Sequence, residues 1–307
     1  MTGLLDGKIA LVTGAGHGIG RGHALELAAQ GATVVVNDLG SSVHGEGKGR
    51  DAEQVVAVIN ERGGKAIADF GDVGDEDQAT AMVDRAFSDF GRLDIVVNNA
   101  GIVRDRAIWN MSADDFDLVM RVHVRGSWLT TRAAARHWRK QAKEDGLGQV
   151  YGRVINTTSG AGLLGNFGQT NYSAAKAALV GLTLTASLEL AGIGVTVNAI
   201  SPGGVTRLSA GSAGFDGSPP EADERDPDGF DPMDPSNSSP VVAWLASPEA
   251  GHVSGQVIRC VREELAVVEG WHVVRSISAG GKRWEAAKLG DLFAKQLLRT
   301  RAPGLTI

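Results

Sequence analysis

Tyr172 and Lys176 stand four residues apart in the stretch Asn171-Tyr-Ser-Ala-Ala-Lys176, and Ser159 precedes the tyrosine by thirteen. On a helix that spacing puts phenol and ammonium on one face. The positive charge is then expected to lower the phenol's pKa toward neutrality. With a hydroxyl brought in from a second element, the trio suits proton transfer at an alcohol or carbonyl: Ser159 hydrogen-bonds the substrate oxygen while Tyr172 takes or gives its proton. Taken alone, such a pair is more often a solvated surface contact. The other tyrosine, Tyr151, has no lysine four residues on and sits in the turn-like run Gln149-Val-Tyr-Gly-Arg153, so a surface aromatic is expected there. Thr157 and Thr158 could donate in place of Ser159, but the spacing selects the serine. Asn166 and Gln169, just before the catalytic stretch, are further candidates to face a substrate.

The elements that would position this trio are legible upstream. The chain opens with the apolar run Lys8-Ile-Ala-Leu-Val-Thr13, suited to a buried parallel strand, then Gly14-Ala-Gly16-His17-Gly18-Ile19-Gly20 and an amphipathic stretch to about Ala29. In such a strand–turn–helix unit Gly14 permits the tight turn, Gly18 lets backbone approach a pyrophosphate, and Gly20 allows close helix–strand packing, with the phosphates at the helix N-terminus. The second apolar run ends in Asp38, eighteen residues beyond Gly20. A carboxylate there accepts bonds from both ribose hydroxyls of NAD and repels the 2′-phosphate of NADP. The loop from Gly40 to Arg50 carries Lys48 and Arg50, two cations within reach of such a phosphate, yet NAD remains the expected cofactor. No metal site is expected.

Thr13-Gly14-x3-Gly18-x-Gly20, Asn98-Asn-Ala-Gly101, Ser159, Tyr172-x3-Lys176 and Pro202-Gly203 together resemble the short-chain dehydrogenase/reductase family, in order from Gly7 to about Gln256. The resemblance implies a single Rossmann-like domain, a nicotinamide cofactor and a Ser-Tyr-Lys site. It further implies that Asp72 and Val73 contact the adenine, that Asn99, Ala100 and Gly101 border the cofactor, and that Pro202, Gly203, Val205 and Thr206 also bind it. Arg104-Asp-Arg106, Arg121-Val-His-Val-Arg-Gly126 and Gly165-Asn-Phe-Gly-Gln-Thr-Asn-Tyr172 look like the (3R)-hydroxyacyl-CoA dehydrogenase portion of the multifunctional enzyme of peroxisomal β-oxidation. That branch also covers 17β-hydroxysteroid oxidation. The implied substrate is a 3-hydroxyacyl-CoA, with a hydroxysteroid as the alternative and a non-catalytic cofactor-binding scaffold as the third reading. His123 stands where most members carry Asn, and a structural role is weighed equally with a catalytic one.

Strands are expected at 9–13, 33–37, 65–69, 93–98, 152–157, 195–200 and 256–261, with helices at 19–29, 52–62, 75–90, 113–143, 172–190 and 240–246. This βαβ repetition predicts an α/β fold: one doubly wound parallel sheet of about seven strands, helices on both faces, and a crevice at the strands' carboxyl ends. Residues 1–270 form the expected domain, with an acidic, Pro-rich lid over 209–239 where Asp and Glu far outnumber Arg. Residues 271–307 form a C-terminal extension whose Trp271, Trp284, Phe293, Leu297 and Leu298 call for cover from the domain or a neighbouring subunit. Aromatics are only 5% of the chain, so aliphatic packing must build the core, and 42 glycines in 307 residues suit many strand-to-helix turns. The single cysteine, Cys260, reads as a buried strand thiol. A net charge of −6 gives no reason to expect nucleic acid or an anionic membrane. No signal-like start and no apolar run near eighteen residues are seen, so a cytoplasmic protein is expected. Family resemblance implies a homodimer or homotetramer through 113–143 and 172–190.

Overall fold

The computed structural model describes residues 3–144, 146–209, 221, 229–270, 272–273, 275–281 and 283–292. Alternating elements build one sheet. β1 (Ile9–Thr13), β2 (Thr33–Asn37), β3 (Lys65–Asp69), β4 (Ile95–Asn98), β5 (Gly152–Thr157), β6 (Val195–Pro202) and β7 (Val257–Val261) run parallel in the order β3-β2-β1-β4-β5-β6-β7. The order reverses between β1 and β4, where β1 pairs with both β2 and β4. At such a switch point the connections leave on opposite faces and open a crevice at the strands' carboxyl ends. The expected doubly wound sheet is therefore observed, with one strand more than the seven anticipated: β8 (Glu264–Val268) pairs antiparallel with β7 and closes the edge.

Period-two alternation sends Ala10, Val12, Val34 and Val36 to one face and Ile9, Leu11 and Val35 to the other. The first face is covered by α1 (Gly18–Ala29), α2 (Asp51–Glu61) and α8 (Ser239–Ala246), through Leu27, Ile59 and Leu245. The second is covered by α3 (Glu76–Phe90), α5 (Gly126–Lys143) and α7 (Thr170–Leu190), through Met82, Trp138 and Ala186. Trp138 is fully buried and donates its indole N–H to the Leu93 carbonyl at 2.8 Å, so the largest core side chain leaves no orphan donor.

The helix expected over 113–143 is not one regular helix. α4 (Ala113–Met120) passes through a π-turn at Arg121–Arg125 before α5 resumes, and His123 lies in that turn. A short helix, α6 (Gly160–Leu164), follows β5 and is capped by Ser159, whose hydroxyl accepts from the Ala161 N–H at 3.2 Å. The segment Thr170–Ile193 is long and apolar enough, by length and composition, to cross a membrane, which corrects the expectation that no run approaches that length. Its hydropathy comes from many Ala and Leu side chains interspersed with Thr, Ser and Gly rather than a continuous aliphatic block, and it packs on β6 as a core helix with Lys176 buried.

One further expectation changes. Tyr151 is half-buried, not a plain surface aromatic: its hydroxyl donates to the Ala246 carbonyl, and Lys8 and Arg153 lie over its ring. The tail forms a short helix, α9 (Ala286–Leu292), none of whose residues is buried, and Trp284 is 43% exposed. Trp271, Phe293, Leu297 and Leu298, and most of the acidic stretch over 209–239, lie outside the described residues.

Candidate active site

The carboxyl ends of β1, β2, β4, β5 and β6 open into one cleft of about 510 Å³. Ser159, Tyr172 and Lys176 lie at one end and Asp38, Asp72 and Val73 at the other. Gly14, His17, Gly18, Ile19, Gly20, Asn99, Ala100, Gly101, Pro202, Val205 and Thr206 line it between them. Of the residues expected there, Gly16 and Gly203 do not line the cleft. Gly16 instead braces Asp38, donating its N–H to Oδ2 at 2.8 Å, and Gly203 turns toward Val261.

Backbone demands explain the glycines. Gly14 and Gly18 take φ of +62° and +53°, the left-handed region a side chain disfavours. A Cβ on Gly20 would lie 2.2 Å from the Gly14 carbonyl oxygen and 2.4 Å from Asn99 Nδ2. Asn99 clamps this turn by donating from Nδ2 to the carbonyls of Thr13 and Gly14 at 3.1 and 2.9 Å. The first N–H groups of α1 therefore face the cleft at the positive end of a helix. At the end of β2, Asp38 is held by two backbone donors, Gly16 on Oδ2 and Gly40 on Oδ1 at 2.7 Å. Asp72 is held by the Gly74 N–H and by Arg121 at 2.8 Å each. A glycine turn at a helix N-terminus beside a fixed carboxylate fits a dinucleotide. The two loop cations do not meet it: Lys48 and Arg50 are not among the lining residues, and Arg50 pairs with Glu53 and lies over Phe70.

At the other end, the Lys176 ammonium donates to the Thr157 carbonyl at 2.7 Å and sits 5.4 Å from the centre of the Tyr172 ring. Burial pushes the Tyr172 phenol up to about 12, although the neighbouring Ser159 side chain pulls the other way. Burial also draws Lys176 down to about 7. The expected lowering of the phenol by the lysine is thus outweighed: desolvation penalises both charged forms and favours neutral phenol beside neutral amine. Asn166 and Gln169 do line the cleft, bonded to each other at 3.0 Å, and Gln169 also donates to Asp105 at 2.8 Å.

Sequence reasoning left His123 open and did not single out Arg121, Arg207 or Met233, all of which line the cleft. His123 is 1% exposed, and its Nε2 lies 3.1 Å from the Ile102 N–H and 2.9 Å from the Ile102 carbonyl. Burial, with the Lys176 charge adding to it, drops the imidazole to about 3, so it is neutral. Its ring meets the Tyr172 ring edge-on at 5.3 Å, and its Nδ1 has no partner among the described residues. Spacing alone carries no marker for a π-turn that aims such a ring.

The family model for short chain dehydrogenases matches residues 8–212. The chain is 43% identical over 298 residues to the hydroxyacyl-CoA dehydrogenase ChsB1 of Mycobacterium tuberculosis, a match covering 94% of this chain and 90% of that one. It is 43% identical over 241 residues to the peroxisomal multifunctional enzyme type 2 of Mus musculus, covering 78% of this chain and 30% of the mouse protein. In three dimensions it resembles the crystal structure of a short chain dehydrogenase from Mycobacterium avium, with a TM-score of 0.86 and 45% identity over 99% of this chain and all of that one.

Proposed function

Because the chain belongs to the short-chain dehydrogenase family, we propose that it oxidises the 3-hydroxyl of a 3-hydroxyacyl-CoA to a ketone, with NAD as hydride acceptor. The observation that carries the chemistry is the trio of Ser159, Tyr172 and the buried Lys176 at one end of a cleft whose other end is a fixed carboxylate. The thioester assignment is supported by identity along nearly the whole chain to a protein named as a hydroxyacyl-CoA dehydrogenase. The NAD assignment is supported by Asp38, which both backbone bonds hold in its acceptor orientation and which would face a 2′-phosphate with like charge.

A nicotinamide cofactor held along Gly14–Gly20, Asp38 and Asp72 supplies the hydride acceptor. Ser159 hydrogen-bonds the substrate hydroxyl and fixes its carbon toward that acceptor. Tyr172 takes the hydroxyl proton as it gives up its own, and Lys176, whose pKa has fallen to about 7, is the amine matched to receive that second proton near neutral pH. Trp128 on α5 and Leu184 and Leu188 on α7, all exposed, support a homo-oligomer built on those helices.

The test is a cofactor-reduction assay with 3-hydroxyacyl-CoAs of graded length and both configurations, set against 17β-hydroxysteroids, each with NAD and with NADP. Turnover of a thioester with NAD as the better acceptor is the expected result. Turnover of steroids alone would move the substrate to the alternative reading. A preference for NADP that Asp38→Ala leaves unmoved would remove Asp38 from its role.

A further inference from the structure

One residue of the acidic stretch reaches the glycine turn and takes no part in the proton transfer. Glu221 lays its carboxylate on the turn that opens α1: Oε2 accepts the Gly18 N–H at 2.7 Å, and Oε1 lies 2.7 Å from His17 Nδ1. On the far side of the same imidazole, Nε2 lies 3.2 Å from Asp51 Oδ2. A ring gripped by carboxylates at both nitrogens is best served by protons on both. Burial alone would depress His17, but its bond to Glu221 and the charges of Glu221 and Asp51 prevail and raise it. Burial likewise works against an ionised Glu221, and the bonds from His17 and Gly18 prevail there, holding it below the usual carboxylate range. An internal anion thus rests on the leading N–H of α1, where the helix dipole favours negative charge.

We infer that Glu221 is an internal competitor of the cofactor, its carboxylate occupying the donors that a dinucleotide's pyrophosphate needs, so that it sets cofactor affinity without touching the reacting atoms. The inference rests on the dinucleotide reading of the cleft. The Gly18 N–H cannot serve the carboxylate and a phosphate oxygen together at full strength, and two anions at hydrogen-bond distance of one donor repel. Binding must therefore exchange one anion for another. His17, still backed by Asp51, is left as a ring donor that the incoming phosphate meets.

The experiment uses the full chain, wild type and Glu221→Gln and Glu221→Ala, with three probes and no substrate: NADH, inorganic pyrophosphate, and adenosine, which can reach Asp38 and Asp72 but carries no phosphate. Removing the internal anion should lower the Kd for NADH by about tenfold, the scale of one charge-assisted hydrogen bond. Pyrophosphate, measured by displacement of NADH, should gain comparably, and adenosine should not change. An unaltered Kd for NADH in both variants would overturn the inference. An equal gain for adenosine would overturn it too, because the substitution would then be opening the cleft rather than vacating an anion site. If the wild type and both variants bind no NADH, the dinucleotide reading falls first and takes the inference with it.

Discussion

Each member of the reacting trio is set by what surrounds it. Tyr172 is the only phenol in the cleft, so Tyr172→Phe keeps the ring and removes the proton carrier. Turnover should fall by about two to four orders of magnitude with NADH affinity nearly unchanged, and stopped-flow rates beside a binding titration check both halves. Lys176 and Tyr172 titrate as a pair. Below the lysine's pKa of about 7 the pair carries both protons and has no base to offer an alcohol; above it one proton is gone. Oxidation kcat/KM should therefore rise with pH through a single ionisation near 7. Lys176→Met should move that limb upward, toward the phenol's own raised value of about 12. A profile unmoved by the substitution would assign the ionisation to another group.

Among the elements, the turn after β4 and the π-turn after α4 are fitted to one another. A methyl on Gly101 would lie 2.3 Å from His123 Cε1, closer than real side chains approach. Gly101→Ala should cost about 1–3 kcal/mol and loosen the cofactor turn, and His123→Ala added to it should recover part of the loss, as urea unfolding of the three variants would show. A double variant no more stable than Gly101→Ala would mean the strain lies elsewhere. This pairing also marks how far the sequence could be read. Gly14–Gly20, Asp38 and the Ser159–Lys176 trio were legible because each is a short local pattern tied to one strand end or one helix turn. The π-turn was not, since it spans only the five residues Arg121–Arg125, too short a stretch for a shift of helical phase to stand out. β8 was hidden for another reason: its hairpin turns through Arg262 at φ 58°, without the Asn-Gly or Asp-Gly pair that advertises such a turn. The contact of Glu221 with Gly18 crosses 203 residues, and the pKa of Tyr172 depends on depth of burial, so neither has a local signature.

For the molecule as a whole, two sealed imidazoles govern behaviour in acid. His23, at the packing of α1 against α8, and His123 are both buried and both lowered to about 3. Their folded pKa values lie below the ordinary histidine value of 6.5, so the unfolded chain binds protons that the folded chain refuses. Stability is then fully present above about pH 6.5 and lost as pH falls toward 3, by ~1.4 kcal/mol per pH unit for each imidazole. Urea unfolding at pH 7, 5 and 4 should show that slope, and His23→Gln should remove about half of it; an unchanged slope would point to the carboxylates instead. The switch point between β1 and β4 has a consequence of a different kind, in the order of assembly. There Ile9 and Asp94 exchange bonds, the Ile9 N–H to Asp94 Oδ2 at 2.8 Å and the Asp94 N–H to the Ile9 carbonyl at 2.9 Å, across 85 residues of chain. Everything between them closes a single long loop, whose entropy must be overcome before the two halves of the sheet reward each other. The β1–β3 half can form from near neighbours, whereas the junction waits for that closure and sets the folding rate. Asp94→Asn should accordingly slow refolding more than it speeds unfolding, and the opposite partition in a chevron would place the junction after the barrier.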